Sequence, residues 1–133
     1  MIVAIPTSGK DYTAFIYRKE TIMKIAIPCA GGQLCMHFGH CENFAFVEVD
    51  ENKNVTGVEM VTPPQHAPGV YPQWVREQGA DMVIAGGMGG RAQDMFEQHG
   101  VRVLSGAPSA SPEEIVKAWI NDALQLGANA CDH

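Results

Sequence analysis

The chain lacks the long apolar runs and the basic clusters that would indicate a membrane or a nucleic acid as its partner. None of its apolar runs approaches the roughly 18 residues that a membrane-spanning helix needs. Its 9 Lys and Arg residues are outnumbered by 15 Asp and Glu residues, so the net charge is -6. No cluster of basic residues could follow a phosphate backbone. We therefore expect no membrane and no nucleic acid among its partners.

We also expect no secretory signal peptide at the N-terminus, because Lys10 and Asp11 follow soon after a short apolar run that ends at Pro6. Without such a signal, the 4 cysteines are expected to stay reduced as ligands rather than to form disulfides. The sequence therefore predicts a cytoplasmic protein. Its 133 residues fit one domain that can bury a core without covalent cross-links.

The first 22 residues stand apart from the rest, because Ile2–Gly9 is echoed by Lys24–Gly31. Between the echoes, Tyr12–Tyr17 has the composition of a short strand. Residues 1–22 are therefore interpreted either as a β-hairpin added to a sheet edge or as an upstream extension or duplication remnant before a natural start at Met23. Both interpretations stay open, and in both the main domain is predicted to span residues 23–133.

After residue 23, apolar runs of strand length alternate with segments of helical periodicity. The predicted strands are 24–28, 43–50, 55–61, 82–85 and 101–104, and the predicted helices are 70–78, 91–99 and 112–126. Right-handed crossovers would make the strands at 24, 82 and 101 parallel, with the strand at 43–50 antiparallel to the first. The pattern predicts an α/β fold whose loops at 29–41, 62–69, 86–91 and 105–111 emerge at one edge, where such sheets bind ligands.

The most informative stretch is residues 35–41, CMHFGHC, which concentrates thiols and imidazoles on a loop. These groups favour zinc, copper or iron–sulfur species, whereas magnesium or calcium would call for oxygen ligands. The spacing matches none of the standard zinc fingers. There are two alternatives to a metal-cluster site. The loop could form a structural zinc knot, or it could contain one or two functional residues beside buried free cysteines. Cys29 is interpreted either as a further ligand or as a buried residue at a strand end.

Other groups at the same edge complete a candidate site. The glycine-rich turn at residues 86–90 leads into a predicted helix. The free N–H groups at the start of this helix, together with Arg91, could bind an anion. The turn lacks the third glycine of a dinucleotide-binding site. The C-terminal Cys131 and His133 are either additional ligands or part of a frayed end. The predicted metal ligands are Cys35, His37, His40, Cys41, Cys131 and His133. The predicted cofactor-binding residues are His37, His66, Gly86, Gly87, Met88, Gly89, Gly90 and Arg91.

Three segments resemble the dinitrogenase iron-molybdenum cofactor biosynthesis family: residues 37–44 (HFGHCENF), residues 79–92 (GADMVIAGGMGGRA) and the closing CDH. This family includes NifX- and NafY-like domains, the C-terminal domain of NifB and the orange protein. The resemblance covers residues 23–133. It implies a three-layer α/β/α, ribonuclease-H-like fold with a mixed five-stranded sheet in the order 3-2-1-4-5 and strand 2 antiparallel.

The resemblance also implies a non-catalytic protein that binds, carries or helps to assemble a metal–sulfur cluster of the Fe–S, Fe–Mo–S or Mo–Cu–S type. His37 matches the histidine of the family motif and is the first choice for a cluster contact. The expected partners are metallocluster donor and acceptor proteins, and the expected state is a monomer or weak homodimer.

Two other functions fit the residues less well. The first is a structural zinc-binding module that acts in regulation or docking. The second is a small metallohydrolase or nucleotide-binding enzyme, which the glycine turn would permit. The sequence contains no Ser/His/Asp set, no nucleophile elbow and no carboxylate pair among the edge loops, so we do not expect an enzyme.

Overall fold

A mixed six-stranded β-sheet forms the centre of this computed structural model, which describes residues 21–67 and 69–127. Three helices pack on its two faces. The strands are β1 (Thr21–Ala30), β2 (Gln33–Leu34), β3 (Asn43–Asp50), β4 (Val55–Val61), β5 (Met82–Ile84) and β6 (Arg102–Leu104). The helices are α1 (Val70–Glu77), α2 (Gly90–Gln98) and α3 (Pro112–Ile120), and a short 3-10 turn covers Phe38–His40.

The strands lie side by side in the order β4-β3-β1-β5-β6, and the short strand β2 pairs with β1. β3 is antiparallel to both of its neighbours, whereas β5 is parallel to β1 and to β6. The predicted α/β class is confirmed. The prediction of five strands missed β2, whose two residues pair with Ala30 and Cys29 across a tight glycine turn. The ribonuclease-H-like assignment stays a prediction.

Alternation along the strands sends apolar side chains to both faces of the sheet, because successive strand residues point in opposite directions. Ile25 and Ile27 lie in the core on the α3 face, where they share a cluster with Ile115. Ala26 lies in the opposite core, which also contains Phe44, Tyr71 and Phe96. Both cores consist mainly of apolar side chains, so burial of these faces holds the helices against the sheet.

The end of α3 differs from the prediction. The helix begins as predicted, because Glu114 N–H donates to Ser111 Oγ and Ser111 N–H donates to the Glu114 carboxylate, each at 3.3 Å. It ends at Ile120 rather than at about residue 126, since Asp122 adopts a left-handed backbone with φ 58°. Ala123, which lies within the predicted helix, is exposed.

The remaining expectations concern the chain ends and the membrane. The hairpin predicted within residues 1–22 lies outside the described residues, except for Thr21 and Ile22, which belong to β1. Within the described ranges, no helix combines the length and the apolar character needed to span a bilayer.

The segments that follow four of the strands begin at one edge of the sheet. Since β3 is antiparallel to both β1 and β4, β4 runs in the same direction as β1, β5 and β6. The segments that follow these four strands therefore start at the same edge. These segments contain the Cys/His loop, the proline-rich loop with His66, the glycine turn and the loop after β6.

Candidate functional site

The Cys/His loop and the glycine turn are joined by backbone hydrogen bonds. Phe38 N–H donates to the Gly87 carbonyl at 2.9 Å, and Gly87 N–H donates to the Met36 carbonyl at 2.6 Å. His37 thereby forms an isolated parallel bridge with Gly87. We call this contact between residues 36–38 and 86–87 the seam. It places His37 directly beside the start of the glycine-rich turn.

Gly86 makes the seam possible because it leaves room for the opposite backbone. A Cβ on Gly86 would stand 2.9 Å from both the Cα and the carbonyl oxygen of Met36, and 3.0 Å from the carbonyl oxygen of Cys35. These are backbone atoms, so they cannot rotate away as a flexible side chain could. The position therefore requires glycine for close approach, and not for an unusual backbone conformation.

Phe38 anchors the loop in the core. Its side chain is 7% exposed, and its ring makes edge contacts with Tyr71 and Phe96 at centroid distances of 5.6 Å. His37 and His40 on either side of it are exposed, and their ring centroids lie 5.9 Å apart. Burial of the one aromatic ring therefore holds two imidazoles at the surface.

The three described cysteines are free thiols with different exposures. Cys29 is fully buried in the α3-side core and donates to the Ile27 carbonyl at 3.3 Å, in agreement with its interpretation as a buried strand-end residue. Cys35 is buried and donates to the His37 carbonyl at 3.1 Å. Cys41 is half-buried.

The predicted metal ligands do not converge on one point within residues 21–67 and 69–127. These residues contain no group of three or more His, Cys, Asp or Glu side chains that could hold a metal ion. The assignment of four of them as ligands stays a prediction, although all four lie in one loop: Cys35, His37, His40 and Cys41. Cys131 and His133 lie outside the described residues.

Burial favours the protonated form of two thiols, those of Cys29 and Cys41. It raises the pKa of Cys29 to about 11, and a backbone hydrogen bond with Ala45 offsets this only in part. Burial likewise raises the pKa of Cys41 to about 11, against the opposing effect of a hydrogen bond with the Tyr71 side chain. A metal that binds Cys41 must therefore displace a proton, and its affinity should rise with pH.

The raised pKa of Cys29 predicts a loss of stability in alkali. Because the folded-state pKa exceeds the ordinary value of 9.0, the folded protein retains a proton that the unfolded chain releases. The contribution of the Cys29 thiol to the free energy of unfolding is fully present below about pH 9 and is lost as pH rises toward 11. Urea unfolding between pH 8 and 10.5 should show this decrease, and Cys29→Ala should reduce it. An equal decrease in both proteins would contradict the prediction.

A groove of about 320 Å³ opens beside the seam. Its lining includes Phe38, Gly39, His66, Tyr71, Arg91 and Met95. The imidazole of His66 packs edge-on against Tyr71 at a centroid distance of 4.7 Å. The structure thus brings together two predicted residues, His66 and Arg91, that are far apart in the sequence. Tyr71 was missed as a site residue, because its position in a helical pattern indicated only core packing.

The glycine turn presents mainly backbone to this region. Gly89 and Gly90 face open space, since a Cβ on either would meet no atom within 4 Å. α2 begins at Gly90, so its first N–H groups have no partners within the helix and carry the positive end of the helix dipole. Met88 is an exception among the predicted residues, because it is fully buried in the α1/α2-side core. Its carbonyl oxygen accepts a hydrogen bond from the Gln93 side chain at 2.8 Å.

Comparisons with known proteins agree with this architecture. The family described as "Dinitrogenase iron-molybdenum cofactor" matches residues 21–122. An uncharacterized protein of Methanocaldococcus jannaschii, MJ0580, is 30% identical over 112 residues, which cover 80% of this chain and 93% of the relative.

Two solved structures share the fold. PH0822 has a TM-score of 0.73 and 29% identity, and the match covers 80% of this chain and 98% of that one. The apo form of the orange protein from Desulfovibrio gigas has a TM-score of 0.64 and 20% identity, covering 83% of this chain and 98% of that one. At this identity, the second likeness is evidence of a common fold alone.

Proposed function

Because the chain belongs to the dinitrogenase iron-molybdenum cofactor family, we propose that it binds a metal–sulfur cluster as cargo and carries it between proteins that supply and receive it. Family membership indicates a role in the binding or biosynthesis of iron-molybdenum cofactor. The carrier role and the absence of catalysis are the more specific parts of the proposal. We also propose that the domain, with a helix layer on each face of the sheet, has the ribonuclease-H-like fold.

The seam between His37 and Gly87 is the observation that carries this proposal. It places an exposed imidazole, a metal-binding group, beside the glycine turn that leads into α2. Metal–sulfur clusters are anionic, so the N–H groups at the start of α2 and the guanidinium of Arg91 would stabilise their charge. An Fe–S, Fe–Mo–S or Mo–Cu–S cluster fits this combination of a metal ligand and anion-binding groups.

A carrier must release its cargo, and the site is suited to release. The candidate ligands His37 and His40 are exposed, and the described residues contain no group of three or more His, Cys, Asp or Glu side chains that could hold a metal ion. A structural metal site, by contrast, is a closed four-ligand cage. A cluster held by few ligands and by hydrogen bonds can be displaced by the ligands of an acceptor protein. This favours a transfer protein over a structural zinc module, which would need a complete ligand set to stabilise the fold.

Substitution of His37 by alanine should weaken cargo binding by at least about 10-fold, because a direct metal contact is lost and even the loss of a group that only orients a ligand costs about 10- to 100-fold. Protein incubated anaerobically with ferrous iron and sulfide, with and without molybdate, should show charge-transfer absorption, and a titration of this signal gives the affinity. His99→Ala is the matched control, because His99 is also exposed but lies at the opposite end of α2 from Arg91.

Two outcomes would contradict the proposal. Wild-type protein that remains colourless under all these conditions takes up no cluster. Stoichiometric zinc in the purified protein, together with unfolding on chelation, would instead identify a structural zinc module.

A further inference from the structure

A second cavity lies toward the edge of the sheet opposite the seam. It has a volume of about 280 Å³ and is formed by the end of α3, the start of β1 and the end of β3 with its following turn. Met23 and Ala30 are about 23 Å apart along β1, and Ala30 precedes the Cys/His loop. The cavity is therefore separate from the proposed cargo site. Its lining residues are Met23, Val49, Lys53, Trp119, Ile120 and Asp122.

Most of this lining is apolar. Val49 is buried in the α3-side core, and Met23, Trp119 and Ile120 are half-buried side chains that pack against that core. A half-buried indole beside aliphatic side chains offers a large contact surface to the apolar part of a ligand. The cavity is near the lower end of the usual range for ligand sites, roughly 300–1,000 Å³, so it suits a small molecule.

The two charged residues of the lining have an unusual backbone conformation. Lys53 and Asp122 are left-handed, with φ of 64° and 58°, whereas every other described residue with positive φ is a glycine. A side chain in this region crowds the neighbouring backbone, at a cost in free energy that glycine avoids. Both positions at which the described chain incurs this cost thus line one cavity, and they carry opposite charges.

The turn between β3 and β4 fixes the backbone of Lys53. Asp50 is 4% exposed, and its Oδ1 accepts hydrogen bonds from Asn52 N–H at 2.8 Å and from Asn54 N–H at 3.0 Å. Lys53 N–H donates to the Asp50 carbonyl at 3.0 Å. These bonds would form equally with glycine at position 53. The lysine side chain therefore adds nothing to the turn, whereas its ammonium group adds a positive charge to the cavity.

Asp122 occupies a position after α3 that glycine usually takes. Asp122 N–H donates to the Trp119 carbonyl at 3.1 Å, and Ala123 N–H donates to the Ala118 carbonyl at 2.7 Å. This pair of hydrogen bonds is the Schellman motif, whose left-handed residue is most often glycine. A carboxylate at this end of a helix is also repelled by the helix dipole. The carboxylate and the last carbonyl groups of α3 together favour a cation on this side of the cavity.

We propose that this cavity binds an α-amino acid with an apolar side chain. The carboxylate of the ligand pairs with the Lys53 ammonium group, its ammonium group pairs with the Asp122 carboxylate, and its side chain packs on Trp119 and Ile120. Lys53 and Asp122 are exposed, and within residues 21–67 and 69–127 neither forms an ion pair. Binding at this cavity does not depend on the proposed carrier function.

A zwitterion fits the cavity better than an ion of one sign. A ligand with a carboxylate alone would leave the Asp122 carboxylate unpaired beside it, and a ligand with an amine alone would do the same to Lys53. An α-amino acid carries both charges on one carbon atom, with the apolar group attached to the same carbon. It therefore matches two opposite charges that flank an apolar lining.

Titration of the full-length protein with L-phenylalanine and L-leucine tests the proposal. Trp119 lines the cavity, whereas Trp74 packs against Phe44 and Phe46 in the opposite core, so Trp74→Phe protein reports binding through Trp119 fluorescence. Calorimetry of the wild type repeats the measurement without a substitution. We expect saturable binding, and about fivefold weaker binding of 2-phenylethylamine and of 3-phenylpropanoate than of L-phenylalanine, because each lacks one charge. Equal affinity for these three compounds, or no binding of either amino acid, would overturn the proposal.

Two substitutions separate the charges. Lys53→Gln should weaken binding of L-phenylalanine about fivefold and leave binding of 2-phenylethylamine unchanged, since this amine has no carboxylate. Asp122→Asn should weaken binding of L-phenylalanine to the same extent and leave binding of 3-phenylpropanoate unchanged. Lys117→Gln and Asp94→Asn are the matched controls, because they make the same changes of charge at exposed residues outside the lining. Controls that lose as much affinity as the cavity variants would show that net charge alone is responsible, against the proposal.

Glycine at the two left-handed positions separates binding from stability. Lys53→Gly and Asp122→Gly each remove the backbone cost, so the urea midpoint of unfolding should rise. Binding of L-phenylalanine should nevertheless become about fivefold weaker, as for the charge variants. Because these variants are expected to be more stable than the wild type, unfolding cannot explain their loss of affinity. Wild-type affinity in both would overturn the assignment of Lys53 and Asp122 as ligand-binding residues.

Discussion

Gly86→Ala should both destabilise the protein and abolish measurable cluster binding. The added Cβ would stand 2.9 Å from the Cα and carbonyl oxygen of Met36, so residues 35–37 must move away from the glycine turn. Overpacking of this kind costs roughly 1–3 kcal/mol in the free energy of unfolding. The hydrogen bond from Gly87 N–H to the Met36 carbonyl would be lost, and His37 would leave its position beside the turn.

Urea unfolding and the anaerobic absorption titration measure these two effects separately. Gly39→Ala is the matched control, because Gly39 lies in the same loop and a Cβ there would meet no atom within 4 Å. We expect its unfolding free energy to stay within about 0.5 kcal/mol of the wild type. Gly86→Ala protein that binds a cluster as the wild type does would show that the seam does not position the cargo.

Phe38→Ala should cause the larger loss of stability. Phe38 is buried in contact with three aromatic rings, those of Phe44, Tyr71 and Phe96. Truncation of a buried phenylalanine to alanine leaves a cavity and costs about 3–5 kcal/mol. The loop would also lose its anchor, so we expect cargo affinity to fall even at temperatures where the variant remains folded.

Met36→Ala provides the comparison for Phe38→Ala. Met36 is in the same loop and is 46% exposed, so its truncation should change the unfolding free energy by no more than about 0.5 kcal/mol. Chemical denaturation of both variants, followed by tryptophan fluorescence, measures the difference. If Phe38→Ala costs no more than Met36→Ala, the loop is not held by this ring.

The helix starts and the direction of the strands followed from local patterns. The capping box at Ser111 and Glu114 and the helical periodicity after Gly69 involve residues a few positions apart, so the sequence contains the full signal. Strand direction then indicated which loops share an edge, since parallel strands require crossover connections. That reasoning predicts that the loop containing His37 and the turn containing Gly87 lie at the same edge of the sheet.

Features that depend on distant contacts could not be predicted in the same way. The early end of α3 results from a left-handed turn at Asp122 and from the hydrogen bond between Gly127 and Gly106, about twenty residues apart in the sequence. The burial of Met88 and the position of Tyr71 in the groove depend on how α1 and α2 pack against the sheet. A single sequence shows residue types and spacing, and neither specifies which backbones approach within 3 Å.

The sequence by itself determined the α/β class, the positions of most elements and the chemical character of the candidate site, because periodicity and side-chain type are local properties. The tertiary structure decided that residues 36–38 bond to the glycine turn, that Gly86 must lack a side chain, and that Gly127 bonds to Gly106. These contacts arise only when β1, β5 and β6 lie side by side and their following segments are stacked against one another.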